Sequence, residues 1–123
     1  MSKARDYWRK WLRWEKGRQG TGYDKCLILA SPFPVPFDCY LLRFPEGTEI
    51  PPHRDPVTTG RHYRLNVVIR QAPSGGDFIC ADPMLDWRRL KFFRSDQSVH
   101  SVTRVVGGSR YVLSIGWVLK SGA

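Results

Sequence analysis

Short β-rich segments, each bounded by Gly, Pro or Asp, dominate this chain of 123 residues from about residue 25 onward. The eight segments are residues 26–30, 37–44, 49–53, 63–70, 77–81, 90–93, 99–105 and 110–119. Regular spacing of short strands between turn residues is typical of sandwiches and barrels. We therefore expect an all-β core over about residues 25–119, folded as a two-sheet jelly roll. At this length one core serves the whole chain, so residues 1–123 are predicted to form a single domain.

An amphipathic pattern precedes the β-rich part of the chain. Its apolar residues recur at spacings of three and four with basic residues between them, and they are Tyr7, Trp8, Trp11, Leu12 and Trp14. This period predicts a helix over about residues 4–17, ended by Gly17 and Gly20. In so small a protein we expect the helix to cover one face of a sheet, packed outside the β core. Contact with a membrane surface or with stacked bases is the other use of a basic, Trp-rich helix.

The net charge is +9, and residues 1–20 carry seven of the twenty Lys and Arg residues against two acids. Such a balance suits a polyanionic partner, so nucleic acid is kept as an open alternative, although a need for solubility would give the same balance. No apolar segment approaches the roughly 20 residues that cross a bilayer, and the N-terminus is charged where a signal peptide is apolar. We therefore expect a cytoplasmic protein without a membrane partner. Its three cysteines, odd in number and far apart, are expected to be free, buried thiols.

A candidate metal site begins with His53-Arg54-Asp55, at the end of a predicted strand. Residues two apart in an extended backbone point the same way, so His53 and Asp55 can bind one ion. Alone this pattern is common, and a surface turn made by Asp55-Pro56 is then the preferred explanation. His100, near the start of the predicted strand 99–105, supplies a second imidazole. Two His and one carboxylate form the facial triad that leaves open positions on Fe(II), whereas a closed site with four ligands would be structural.

The last predicted strand, residues 110–119, begins with Arg110. Even-numbered residues of this strand share one face, which places Arg110 and Ser114 on the same side. An arginine on a core strand requires an anion, and this pair suits a carboxylate of a dicarboxylic acid. The alternative is an edge strand, on which Arg110 would be an ordinary surface residue.

Three motifs resemble the Fe(II)/2-oxoglutarate-dependent dioxygenase superfamily, especially its prolyl-4-hydroxylase-like group. The motifs are His53-x-Asp55, Gly75-Gly76-Asp77-Phe78 and His100-Ser-Val102-x-x-Val105-x-Gly107-x-x-Arg110. The resemblance covers about residues 37–119. Phe44-x-x-Gly47 stands where that group often carries Tyr-x-x-Gly, and Tyr40 is the candidate substitute for the missing hydroxyl.

A second resemblance is to the aspartyl/asparaginyl β-hydroxylases, on Arg64-Leu65-Asn66-Val67 and Trp87. It implies that Arg64 and Asn66 help to hold 2-oxoglutarate or to orient a substrate. Asn66 stands where that family prefers histidine.

Together the resemblances imply a double-stranded β-helix of the cupin-like kind, with Fe(II) held by His53, Asp55 and His100. The residues that would contact the co-substrate 2-oxoglutarate are Arg110, Ser114, Arg64, Asn66 and Tyr40. The implied reaction consumes O2, converts 2-oxoglutarate to succinate, is open to stimulation by ascorbate, and hydroxylates a protein or peptide side chain (Pro, Asp or Asn).

Three other functions stay open at this point. One is a nucleic-acid-modifying oxygenase of the same superfamily, which needs aromatic residues at the iron mouth to receive a base; the candidates are Phe33, Phe37, Tyr63 and Trp87. Another is a non-catalytic, basic β-sandwich that binds nucleic acid. The third is a cupin-like protein that binds a metal without 2-oxoglutarate.

Overall fold

The computed structural model describes residues 11–17, 22–32, 36–55 and 60–119. These ranges form twelve β-strands, and none of the described residues builds a helix of the length and apolarity that a bilayer crossing requires. The strands are β1 (Trp14–Lys16), β2 (Asp24–Ser31), β3 (Phe37–Phe44), β4 (Ile50–His53), β5 (Arg61–Arg70), β6 (Ser74–Gly75), β7 (Phe78–Cys80), β8 (Leu85–Trp87), β9 (Leu90–Arg94), β10 (His100–Val102), β11 (Val105–Val106) and β12 (Arg110–Leu119).

Three sheets make up the described fold. The largest has seven strands in the order β1-β2-β3-β12-β5-β9-β8, and every neighbouring pair in it is antiparallel. A three-stranded sheet has the order β4-β10-β7, and β11 pairs with β6 in a third, two-stranded sheet. The last described strand, β12, thus lies between β3 and β5 in the middle of the largest sheet.

The core lies on one face of the seven-stranded sheet. Strand β12 alternates between buried and half-buried residues, as period-two side-chain geometry requires. Its buried residues face an apolar cluster formed by Phe44, Ile50, Val68, Ala72, Val102, Val105 and Val112. The all-β core predicted for about residues 25–119 is confirmed.

The helix predicted for about residues 4–17 is wrong over the part that the structure describes. Trp14–Lys16 forms strand β1, which pairs antiparallel with β2. Edge contacts explain why strand geometry replaces the helical period: Lys16 Nζ donates to Asp24 Oδ1 at 3.1 Å, and the Arg43 guanidinium lies 4.1 Å from the centre of the Trp14 ring. Residues 4–10 of the predicted helix lie outside the described residues.

One predicted strand, residues 99–105, is split in the structure. His100–Val102 joins the three-stranded sheet, whereas Val105–Val106 pairs with β6. The change of partner occurs next to Gly75, where a Cβ atom would overlap the carbonyl oxygen of Arg104. Gly75 has a φ of 63°, a conformation that favours glycine, so both space and backbone geometry require glycine where the two sheets meet.

Candidate metal and anion site

Pairing of β4 with β10 brings the two candidate imidazoles together. His53 and His100 are direct partners across this antiparallel pair, and their ring centres are 4.3 Å apart. Asp55 follows two residues after His53, and its backbone N–H donates to the carbonyl of Ser95 at 2.9 Å. One ligand atom from each of His53, Asp55 and His100 lies within 4.8 Å of the other two. The three residues named from the sequence therefore form one cluster that can hold a metal ion.

Backbone carbonyls fix the tautomer of both imidazoles. The Nδ1 atom of His53 is 2.9 Å from the carbonyl oxygen of Pro51, and that of His100 is 2.8 Å from the carbonyl oxygen of Ser98. A carbonyl only accepts, so Nδ1–H donates in each case and leaves a lone pair on Nε2. The Nε2 atoms lie 3.4 Å (His53) and 3.8 Å (His100) from Oδ1 of Asp55. Both histidines thus present a metal-binding nitrogen on the side of the carboxylate.

Aromatic packing holds His100 in place. The residue is buried, and the centre of its ring lies 4.9 Å from that of Phe93 and 6.0 Å from that of Phe78. Phe93 is 1% exposed, so this wall is part of the core. The ligand side chains are therefore presented by a packed wall rather than by a loose loop.

A cavity of about 220 Å³ adjoins the triad. Every site residue predicted from the sequence contributes to its lining, namely Tyr40, His53, Asp55, Arg64, Asn66, His100, Arg110 and Ser114. Strand register explains the convergence, since Ser114 pairs with Tyr40 on one side and with Asn66 on the other. The volume falls below the range of about 300–1,000 Å³ typical of drug-sized ligands, which suits a small molecule.

Arg110 carries a charge inside this cavity without a matching anion. The residue is 3% exposed, its Nε atom has no hydrogen-bond partner, and no described carboxylate forms an ion pair with it. Burial lowers the pKa of Arg110 to about 10, with a partial opposing effect from Asp77. The centre of the Phe44 ring lies 5.1 Å from the guanidinium carbon. Because a buried guanidinium is unfavourable without a counter-charge, this geometry calls for an anionic ligand.

Arg64, the second arginine of the cavity, is already paired. Its Nη2 donates to Asp38 at 3.0 Å and its Nη1 donates to the hydroxyl of Ser114 at 2.9 Å. Ser114 in turn donates to Oδ1 of Asn66 at 2.6 Å. Gly116 makes room for this network, because a Cβ there would overlap the Arg64 guanidinium. The hydroxyl that we predicted to assist Arg110 is therefore engaged by Arg64 and Asn66.

Among the further residues that line the cavity, two carry polar side chains that the sequence analysis did not indicate, Tyr23 and Lys25. The Lys25 ammonium lies 5.3 Å from the centre of the Tyr40 ring, and Tyr23 stacks on Phe44 at 5.3 Å. Strand β2 begins at Asp24, two residues before the predicted segment 26–30. Lys25 comes directly before the predicted strand segment 26–30. In the structure Lys25 pairs with the cavity residue Leu42, so a predicted strand one residue longer would have included it on the cavity face.

A second cavity, of about 290 Å³, borders the first at Arg64. Asp38, Phe37, Tyr63 and Trp117 contribute to its walls. Two of the aromatic residues considered for an iron mouth, Phe37 and Tyr63, therefore line this second cavity. Of the other two, Phe33 lies outside the described residues, and Trp87 is 58% exposed on strand β8.

Comparison with known proteins gives similarity in structure but not in sequence. No protein-family model matches the chain, and no curated protein matches it. Among solved structures, the chain is similar to a Pseudomonas putida prolyl-4-hydroxylase, with a TM-score of 0.65, 18% identity, and coverage of 89% of this chain and 79% of that one.

Two other solved structures share the same arrangement. KdgF from Halomonas sp. aligns with a TM-score of 0.57 and 14% identity over 89% of this chain and 88% of that chain. The cupin domain of Schizosaccharomyces pombe Cnp3 aligns with a TM-score of 0.55 and 8% identity over 87% and 69%. At such identities the likeness concerns the fold. The chain therefore has a cupin-like jelly-roll fold, shared with a prolyl-4-hydroxylase, as its resemblance to the Fe(II)/2-oxoglutarate dioxygenases implied.

Proposed function

We propose that this protein is a dioxygenase dependent on Fe(II) and 2-oxoglutarate. The observation that carries the proposal is that the His53/Asp55/His100 cluster and the unpaired Arg110 line one cavity. Either feature alone has a simpler explanation. The histidine cluster alone could be a structural metal site, and a buried arginine alone could serve a structural ion pair. A three-ligand metal site next to a buried cation without an anion suits a metal that binds a small acid.

The donor set fits Fe(II). Two neutral imidazole nitrogens and one carboxylate oxygen are the ligands of the facial triad, which leaves positions on the metal for other ligands. Each Nδ1–H bond to a backbone carbonyl keeps the corresponding Nε2 available and correctly aimed. His53, Asp55 and His100 would therefore hold the ion.

The anion site fits a dicarboxylate such as 2-oxoglutarate. Arg110 would bind the carboxylate remote from the metal, with charge-assisted hydrogen bonds from a guanidinium whose Nε has no hydrogen-bond partner. Lys25 adds a third cation to the same cavity, after Arg110 and Arg64. The fixed dipoles of Ser114 and Asn66 and the apolar wall at Phe93 would orient the ligand and exclude water. When bound, iron and 2-oxoglutarate together supply the O2-driven oxidation of a substrate C–H bond, with release of succinate and CO2.

For the substrate we propose a protein side chain, Pro, Asp or Asn. The fold shared with a prolyl-4-hydroxylase supports this choice, and the second cavity would give such a side chain room beside Arg64. A base in nucleic acid is the second candidate, favoured by the aromatic walls that Phe37, Tyr63 and Trp117 give to that cavity.

The test is succinate release from 2-oxoglutarate by the purified protein with Fe(II) and ascorbate under air. The parent would be compared with His100→Ala and Arg110→Ala, and with Arg104→Ala as a matched control, because the Arg104 side chain is 68% exposed. We expect slow succinate formation by the parent and the control, and none by the two cavity variants.

Binding without turnover separates the alternatives. Under nitrogen with Mn(II), 2-oxoglutarate should bind the parent and His100→Ala should lose metal affinity, whereas Arg110→Ala should keep the metal and lose the acid. Metal binding with no 2-oxoglutarate binding in the parent would identify a metal-binding cupin-like protein. Binding of neither would end the proposal.

A further inference from the structure

The turn of the β8–β9 hairpin lies at an exposed edge of the seven-stranded sheet, and its residues Trp87, Arg88 and Arg89 do not line the cavity. Strands Leu85–Trp87 and Leu90–Arg94 pair around a two-residue turn, and β8 has no neighbour on its other side within the described sheet. Trp87 pairs with Leu90, which pairs with Val67, so the indole lies on the opposite face to the cavity residue Asn66. The ring is 58% exposed. An indole this accessible is available to a partner.

Arginines without acidic partners surround this indole. The Arg88 guanidinium lies 5.3 Å from the centre of the Trp87 ring, and Arg89 donates to the carbonyl oxygen of Ile69 at 3.4 Å. No described carboxylate forms an ion pair with Arg88 or Arg89. The nearby acid Asp86 pairs with Lys91, on the face that Lys91 shares with Asn66. The exposed side of the hairpin therefore combines an aromatic face with uncompensated positive charge.

The backbone of Arg88 has a conformation that is unfavourable for an arginine. Its φ is 47°, in the left-handed region where glycine is favoured over residues with a side chain. A glycine would make the turn with less strain. The arginine is therefore unfavourable for the geometry of the turn. What the residue contributes at this position is its charged side chain.

We propose that the Trp87 hairpin, defined by Trp87, Arg88 and Arg89, binds single-stranded nucleic acid. Unpaired bases stack on an exposed aromatic ring while arginines beside it contact phosphates, which is how single strands are bound without sequence preference. A net charge of +9 complements a polyphosphate chain. An acidic peptide would use the two cations but not the indole face, and a duplex would not offer its bases.

The test is fluorescence anisotropy of a labelled 15-nucleotide oligo(dT) with the full chain, without added metal, between 50 and 200 mM salt. We expect Trp87→Ala to raise Kd by about 5-fold or more, the effect of losing one stacked base. Arg88→Gly should weaken binding and lower the slope of log K against log salt by about 0.7, the value for one phosphate contact on a single strand. Its melting temperature should equal or exceed that of the parent, since the turn is relieved.

The matched control is Arg61→Gln. Arg61 is exposed, and its replacement by Gln also removes one positive charge. Arg61 lies six residues along β5 from Val67, the residue that pairs with Leu90 of the hairpin, and this separation is roughly 20 Å. The basic residues 1–20 are present in every variant, so the comparison isolates the hairpin.

Two results would overturn the proposal. Equal losses of affinity in Arg61→Gln and Arg88→Gly, with none in Trp87→Ala, would mean that only net charge attracts the strand. Binding to vesicles of anionic phospholipid or to an oligo-glutamate peptide that depends on Trp87, with no such dependence for the oligonucleotide, would assign the surface to a different partner. Because no iron or 2-oxoglutarate enters the assay, either result leaves the oxygenase proposal untouched.

Discussion

Replacing Arg110 by Met should stabilise the protein and abolish the binding of 2-oxoglutarate that we propose. Burial holds the pKa of Arg110 at about 10, well below its ordinary value, so the folded state disfavours the charged form. At about 1.4 kcal/mol for each tenfold change in protonation, this shift corresponds to about 3 kcal/mol against folding at neutral pH. Loss of the cation–π contact with Phe44 offsets about 1 kcal/mol of the gain. The net expectation is an increase of about 2 kcal/mol in the free energy of unfolding.

The sign of this effect follows from the direction of the shift. A base whose folded pKa lies below its unfolded pKa destabilises the native state at every pH below the folded value, and the penalty disappears only above about pH 12. The gain from Arg110→Met should therefore be constant between pH 6 and pH 9. Urea denaturation at those two pH values measures it, and an increase of 2 kcal/mol corresponds to a rise of roughly 8 °C in melting temperature.

Ligand binding supplies the other half of the assay. With Mn(II) under nitrogen, 2-oxoglutarate at 100 times its Kd should stabilise the parent by about 2.7 kcal/mol. Arg110→Met should respond to Mn(II) as the parent does and should show no further response to 2-oxoglutarate. Arg110→Lys, which keeps the charge without the planar fork, should lie between the two in ligand response. A variant with Met that is less stable than the parent would show that Arg110 is a structural residue, and would refute the inference of a missing anion.

Three further predictions test other parts of the site and the fold. Gly116→Ala should displace the Arg64 guanidinium and lower succinate formation about 10-fold, while changing the free energy of unfolding by no more than about 1 kcal/mol; unchanged turnover would separate Arg64 from the cavity's function. Because hydrogen bonds from Arg94 lower the pKa of Asp96, the pair stabilises above about pH 4 and its contribution is lost as pH falls through the folded value. Since solvent screens this pair, Asp96→Asn should cost no more than about 1 kcal/mol at pH 7 and less at pH 3 by urea denaturation; equal costs would contradict the linkage. His100→Ala should lose the rise in melting temperature that Mn(II) gives the parent, and a rise that persists would place the metal elsewhere.

Much of the fold and the cluster could be predicted because both depend on local properties of extended backbone. Regular spacing between turn residues placed the eight short segments in a β core, and side-chain alternation put His53 and Asp55 on one side of their strand. The register between β4 and β10, by contrast, depends on how the sheets close, which no local pattern encodes.

The elements that could not be predicted from the sequence are very short strands and a strand at the edge of the sheet. Strands β6 and β11 have two residues each, and they exist only because they pair with one another. Residues 11–17 have a helical period, yet pairing with β2 makes three of them a strand, since tertiary contacts override weak local preference. The thiols were also only partly predicted: all three are free, but Cys26 is buried while Cys39 and Cys80 are half-buried.

The central position of β12 in the seven-stranded sheet has a consequence for how the protein is made. Strands β3 and β5 are its two neighbours, and both precede it in the chain by more than 35 residues. Until β12 leaves the ribosome, each of them exposes an unpaired edge of the kind that promotes aggregation. The buried Arg110 and Ser114 arrive with this same strand, so the anion site cannot exist in a nascent chain that lacks it. Folding dominated by such distant pairings is expected to take milliseconds to seconds, so a ligand of this cavity would bind late in the maturation of the protein.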